Sequence, residues 1–457
     1  MGETGAKANP CREIVEPFIN LVKAPRALWG INLSYLLEGL TYFGILSLLA
    51  MFFNDLGLDD IAAGRMVGVL TAGITLAMLI LGGTVDWIGV RKSLLIALSA
   101  MLVGRILLTV APQIGHPGLW ASAHLTAMAG ILVIVIGYGI YQPACYAAVK
   151  QFTTPKTAAM GYAMLYALMN LGGFLPGLIS PPVRKAYGIT GVYWVYVGLT
   201  AVGIGVVYFI LSKKTIKKTL AIVKASEEKI EEAKNEPGLE STREKIRYYL
   251  KNFPIKDARF MFFIFILIPV QTLFAHNWLT LPMYFARAFT GTVSNNFEFF
   301  VNLNPILIFI LAPMVAALTA EKDTYKMMII GTTVMASPTF ILALGPRMEF
   351  VIAYIIIMTI GEAMWQPRFL QWVAEIAPKN MTGIYMGIGQ FPWFLTKIIT
   401  SLYSGWFLMR FCPAGVPPEQ THTEQMWLIY GLIAIVSPLA LLAAKGWMGK
   451  GLERKRD

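Results

Sequence analysis

Charge is scarce in this chain. Of its 457 residues only 14% are Asp, Glu, Lys or Arg, where an average soluble domain has about a quarter. With 56% hydrophobic residues and a mean hydropathy of +0.61, there is too little polar surface to cover one soluble core. Cysteine is scarce too: Cys11, Cys145 and Cys412 stand far apart, which argues against a disulfide framework and a cysteine metal site. The four histidines, His116, His124, His276 and His422, are equally scattered, so no metal or nucleophile cluster points to an enzyme, and no cofactor is expected. The absence of a G-x-x-x-x-G-K-[ST] loop speaks against an ATP-driven pump. Residues 1–27 carry Glu3, Glu13 and prolines before any apolar run, unlike a cleaved signal peptide.

Long apolar runs, by contrast, recur along the whole chain. A bilayer core of roughly 30 Å needs about 20 mostly apolar residues in a helix rising about 1.5 Å per residue. Twelve such windows occur, at about 28–53, 62–84, 92–111, 120–147, 158–181 and 191–212, and then at about 258–286, 299–319, 326–345, 349–373, 383–410 and 426–447. The expected fold class is therefore an all-α membrane protein with twelve transmembrane helices.

The net charge of +12 has a topological reading. Most Lys and Arg residues fall in the terminal segments and the even-to-odd loops, as with Arg91, Lys92, Lys150, Lys156, Lys322 and Lys326. Few, among them Arg184, Lys185 and Arg410, fall in the opposite loops. Short loops rich in positive charge mark the cytoplasmic side, so both termini are expected there, in a bacterial inner (plasma) membrane. The partners of this charge are then membrane lipids, not nucleic acid.

The expected layout is a cytoplasmic N-terminal segment (1–27), a six-helix bundle (28–212), a charged cytoplasmic linker (213–257), a second six-helix bundle (258–448) and a tail (449–457). The linker is rich in Lys and Glu, and its 217–234 stretch has Ile and Leu at spacings that suit a helix on the headgroups. An internal repeat relates the two bundles. The fourth helix reads Gly137-Tyr-Gly-Ile-Tyr141-Gln142-Pro143 and the tenth reads Gly361-Glu-Ala-Met-Trp365-Gln366-Pro367. Each is followed by a Pro-Lys pair (Pro155-Lys156, Pro378-Lys379) and a G-x-x-M run (Gly161 to Met164, Gly383 to Met386). Two such halves about an axis along the membrane normal form the architecture in which bundles rock around a midplane site.

After the second helix comes Gly82-Gly-Thr-Val-Asp86-Trp-Ile-Gly89-Val-Arg91-Lys92. This resembles the signature loop of the major facilitator superfamily, with Trp87 and Val90 where Arg is usual. The resemblance implies a conformational gate at Gly82, Asp86, Gly89, Arg91 and Lys92. Further runs resemble the proton-dependent oligopeptide transporter family: Glu38-Gly-Leu-Thr-Tyr42-Phe43-Gly44, Gly137 to Pro143, Asn170-Leu-Gly172, Leu303-Asn304-Pro305, and Gly361-Glu362 with Ala377-Pro378-Lys379. That family uses a first-helix Glu and Arg and a fourth-helix Lys to couple protons and hold a peptide carboxylate, and here Tyr35, Gly39 and Gln142 stand in their places. Glu362 matches the acid that the family turns toward the peptide amino group.

Charges within a bilayer cost at least about 2.5 kcal/mol each and must face protein or water, so they nominate the site. They are Glu38, Arg105, Glu362, Arg368 and Lys397, with His124 and His276 as neutral-capable partners. Glu38 lies between Tyr35 and Tyr42 at helical spacing, which reads as a cavity wall with a proton-exchanging carboxylate; the competing reading pairs it permanently with Arg105 or Lys397. Glu362, Trp365 and Gln366 fall on one helical face, and Gln142 is the counterpart of Gln366. Glu38 and Glu362 are thus the expected proton-coupling carboxylates. The expected substrate-binding set is Tyr35, Tyr42, Arg105, Gln142, Asn170, His276, Trp278, Asn304, Glu362, Trp365, Gln366, Arg368, Trp393 and Lys397.

The function expected is secondary transport of a small solute, peptide-like or otherwise polar, by a monomer coupled to protons. The rival readings are an amphiphile, lysolipid or drug transporter of the same fold and, more remotely, a membrane-embedded enzyme.

Overall fold

The structure, a computed structural model, describes residues 25–153, 158–231, 253–319, 322–376, 385 and 388–448. The two Pro-Lys pairs, most of the second G-x-x-M run, the bulk of the N-terminal segment, linker residues 232–252 and the whole tail lie outside them. Within the described residues every regular element is helical.

Among the described residues ten helical stretches are long and apolar enough to cross a membrane. One of them, Met164–Ile210, has 47 residues, about 70 Å of helix and more than twice the bilayer core. It turns back at Gly188, whose φ of 68° only glycine adopts freely, so it makes two crossings. Phe391–Phe411, interrupted by Lys397 and Arg410, supplies the twelfth. The first six crossings are Arg26–Asp55, Asp60–Leu81, Val90–Val110, Ser122–Phe152, Ala158–Phe174 continuing past Pro176 to Gly188, and the remainder of Pro176–Ile210. The helix thus runs through Pro181 and Pro182, where the sequence pattern ends the fifth crossing.

In the second half several crossings are built from short helices in series. The seventh is Ala258–Ile266, Ile268–Leu279 and Leu281–Ala288; the eighth is Phe297–Val301 and Leu303–Leu318. Thr324–Ala336 with Thr339–Leu342 makes the ninth, Met348–Ile376 the tenth, and Thr423–Ala434 with Val436–Ala443 the last. Aspartates start three of the twelve: Asp59, Asp257 and Asp323 each accept a backbone N–H from the first turn. The linker begins with the helix Lys213–Glu231.

The repeated glycines do the same work in each half. A Cβ at Gly137 would come within 2.9 Å of the Ala97 carbonyl on the third crossing, and one at Gly361 would come within 2.7 Å of the Gly331 carbonyl on the ninth. Small residues let the backbones of the third and fourth, and of the ninth and tenth, crossings touch. The repeat read in the sequence is a packing motif reproduced about the pseudo-axis.

Candidate functional site

Twelve crossings put both ends of the chain on one face, called the terminal side below. The two halves are fastened on the far side. Arg287, at the end of the seventh crossing, donates from Nη1 to Asp60 Oδ2 at 2.6 Å and from Nη2 to Asp60 Oδ1 at 2.7 Å. Arg287 also donates to the Cys412 carbonyl at 3.1 Å. Arg184 pairs with the fully buried Glu298, lies over the Phe297 ring at 4.6 Å and donates to the Asn295 carbonyl, while Lys185 donates to Asn296 Oδ1. The second and eleventh crossings close against each other: a Cβ at Gly405 would collide with the Asp60 carbonyl at 2.2 Å. Toward the terminal side the large side chains Tyr146, Tyr162, Tyr166 and Phe391 are exposed.

Between the halves lies a polar layer. On the N-terminal half, Asn170 donates to the Tyr166 carbonyl, and Gln142 donates to the Tyr146 hydroxyl. Tyr166 is within electrostatic reach of Glu362 on the opposite half. The Glu362 carboxylate, 3% exposed, accepts from Asn304 Nδ2 at 2.9 Å, and the same nitrogen donates to Thr359 Oγ1 at 2.9 Å. Among the described residues Glu362 has no ion pair. Lys397 donates to Thr75 Oγ1 at 3.1 Å, across from one half to the other.

Lys397 and Glu362 are linked through aromatics. Trp393, one turn before Lys397, stacks on Trp365 with ring centroids 6.3 Å apart and planes 12° apart, and Trp365 lies one turn beyond Glu362. Toward the far side this layer adjoins a cavity lined by Phe43 and Ser47 of the first crossing, Phe274, Asn277 and Trp278 of the seventh, and Asn304. The Asn277 Oδ1 and Trp278 Nε1 atoms have no hydrogen-bond partner among the described residues.

Glu38 behaves differently. It forms a bidentate pair with Arg105, whose Nη1 also donates to Thr200 Oγ1. The pair joins the first, third and sixth crossings, and its two residues are 2% and 1% exposed. The expectation of an unpaired Glu38 on a cavity wall is corrected accordingly: the cation that sequence neighbours do not supply comes from the third crossing.

Four expected substrate contacts also lie inside the bundles. Arg105 is spent on Glu38. Tyr35 is buried and stacked on Tyr141. His276 is fully buried, bonded to Thr280 and Tyr403 and stacked on Tyr430 at 3.9 Å. Trp365 is fully buried, its indole N–H directed at Met335 Sδ. Tyr42, partly exposed, is the one tyrosine beside Glu38 that reaches a surface, packing on Tyr138. Arg368 donates to Thr319, tying the tenth crossing to the end of the eighth.

The expected gate loop sits on the terminal side. Gly82 lies beside the Pro143 ring, Asp86 is exposed, and Gly89 turns the chain with φ 80°. Arg91 donates to the Tyr208 carbonyl within its own half, and Lys92 is exposed. His124 accepts from the Trp120 backbone N–H and contacts Met66, away from the polar layer.

Residues 31–401 match the family model of the Major Facilitator Superfamily. The chain belongs to that superfamily. As a member it is a multi-pass membrane transporter and not an enzyme. It is similar to dipeptide and tripeptide permease A of Escherichia coli (strain K12), 22% identical over 93% of this chain and 93% of the permease. The Proteus mirabilis (strain HI4320) permease of the same name is 24% identical over 87% of this chain and 89% of the permease. In fold it resembles a solved peptide transporter in complex with sulfate, with a TM-score of 0.69 at 19% identity over 93% of this chain and 95% of that one.

Tyr166 of the polar layer, and Asp60, Arg287 and Glu298 of the far-side fastening, are absent from the expected set. Tyr166 belongs to the 162, 166, 170 stripe at helical spacing, a signal present in the sequence. Asp60, Arg287 and Glu298 lie near helix ends, where charge is ordinary, and no sequence feature sets them apart.

Proposed function

We propose that this chain is a proton-coupled secondary transporter for a small solute bearing an amine, peptide-like in size, moved by alternating access. The supporting observation is the Glu362 carboxylate: it is buried, held by one amide donor, and lacks an ion pair among the described residues. A buried carboxylate in that setting gains from either an ammonium group or a proton, and exchanging one for the other is the elementary step of coupling. The dipeptides and tripeptides for which the similar permeases are named agree with such a ligand.

With both termini cytoplasmic, the far-side ion pairs make this an inward-open form in a bacterial inner membrane. Outward opening breaks Asp60–Arg287 and Arg184–Glu298 and brings the Gly82 to Lys92 loop against the other half. One chain carries the whole site, as a monomer requires. Glu38 with Arg105 holds the first bundle rigid during this motion, and the coupling role passes to Glu362.

Lys397 takes the place of the missing peptide-carboxylate clamps. It lies one turn from Trp393 as Glu362 lies one turn from Trp365, so the stacked pair sets an ammonium and a carboxylate at similar depth. An amphiphile is the second reading, favoured by Gly39 and Gln142 standing where the peptide-transporter family has its cationic clamps. Ligand-induced thermal stabilisation separates them, because a ligand bound to the folded protein raises its apparent stability by mass action. Stabilisation by dipeptides and not by lysolipids supports the first reading; the reverse supports the second.

A further inference from the structure

A groove on the terminal side, remote from the polar layer, concentrates positive charge. Its walls are the Ile88 to Lys92 turn after the second crossing, Gln151 at the end of the fourth, and the linker helix Lys213–Glu231. Arg91 and Lys92 on one wall face Lys213, Lys217 and Lys224 on the other, and among the described residues no carboxylate lines it; the exposed Asp86 lies just outside, before the turn. Five like charges around one groove repel each other unless an anion occupies it. Arg91 is oriented into the wall by the Tyr208 carbonyl and ring, and its Nε has no hydrogen-bond partner among the described residues.

The surroundings identify the source of the anion. Trp87, Tyr208 and Phe209 beside the groove are 87%, 55% and 74% exposed. Exposed aromatics at the end of membrane crossings mark the level of the lipid headgroups. Ile216 and Leu220 of the linker helix line the groove with its lysines, and the neighbouring Thr219 and Val223 are buried, so the helix lies against the bundle at the same level. Basic pockets of this kind between crossings suit phosphate headgroups.

We propose that this groove binds the phosphate headgroup of an anionic phospholipid from the leaflet on the terminal side, clamping the linker helix to the first bundle. Lys213, Lys217 and Lys224 lie on one face of an exposed helix, so their replacement tests the site without disturbing the core.

The test uses the full chain in neutral detergent. Retention of phosphatidylglycerol in native mass spectra and the thermal shift it produces are compared with those from phosphatidylcholine and from inorganic phosphate. The variant is K213A/K217A/K224A, and the control removes three lysines of the same side outside the groove, K322A/K326A/K445A. The expected result is selective retention of phosphatidylglycerol by the parent and control chains. Binding to the groove variant is expected to be about a hundredfold weaker, each surface lysine contributing a factor of roughly five, with its lipid-free melting temperature unchanged. Equal retention of phosphatidylcholine, saturation by inorganic phosphate alone, or an equal loss in the control would each overturn the proposal. A groove variant that melts early without lipid is replaced by K217A/K224A, for which about a twenty-fivefold loss is expected on the same scale, and undiminished binding there overturns it as well.

Discussion

The Asn304 amide bridges Glu362 and Thr359, donating to each at 2.9 Å. It gives the buried carboxylate one fixed neutral partner and leaves its remaining lone pairs for a ligand. This separates Glu362 from Glu38, whose oxygens are both taken by the Arg105 fork. Asn304→Leu removes the donor, leaves Glu362 less able to stay ionised, and is expected to weaken binding of an amine-bearing ligand roughly tenfold, the worth of one hydrogen bond to a charged group. Isothermal titration of the variant with a dipeptide that stabilises the parent checks this.

The Glu38–Arg105 pair is expected to be structural. Removing one partner from a buried ion pair costs about 3–5 kcal/mol, because the survivor stays buried and uncompensated. Arg105→Leu should therefore lower the melting temperature sharply, and the double variant Glu38→Leu/Arg105→Leu should regain much of the loss. Melting curves of the two variants decide it; a double variant less stable than the single one would contradict the assignment.

Opening of the far side should depend on Asp60 and Arg287. Replacing Arg287 with Ala removes both bonds to Asp60 and the bond to the Cys412 carbonyl, weakening the closed form by about 3 kcal/mol. Spin labels on the far ends of the second and eleventh crossings should then report a larger population of long distances. The charge-reversed pair Asp60→Arg/Arg287→Asp should restore part of the short-distance population.

How much of this was legible in the sequence follows from where the information lies. Apolar length and the paired Gly137 and Gly361 runs are local or repeat at fixed spacing, so the twelve crossings and the two related halves could be read directly. The boundary between the fifth and sixth crossings could not be read as easily, because Pro181 and Pro182 signal an end that the helix ignores in favour of Gly188. Glu38 shows the limit for the site. Its partner Arg105 is 67 residues away, on a different crossing, and no helical spacing relates the two. His276 and Trp365 were nominated as polar or aromatic residues within apolar helices, a property shared by residues that bond within a bundle and residues that face a cavity. Only the packing of neighbouring crossings tells them apart.

The direct test of Glu362 as the coupling carboxylate is uptake into proteoliposomes under an imposed proton gradient, with a dipeptide that stabilises the purified protein, for Glu38→Gln and Glu362→Gln side by side. Glu362→Gln keeps the volume and can still accept from Asn304, so it should fold normally, lose gradient-driven accumulation and be insensitive to pH. Glu38→Gln, once its lower stability is allowed for, should still accumulate substrate in response to the gradient. Full gradient-driven accumulation by Glu362→Gln, with its loss confined to Glu38→Gln, would contradict the assignment.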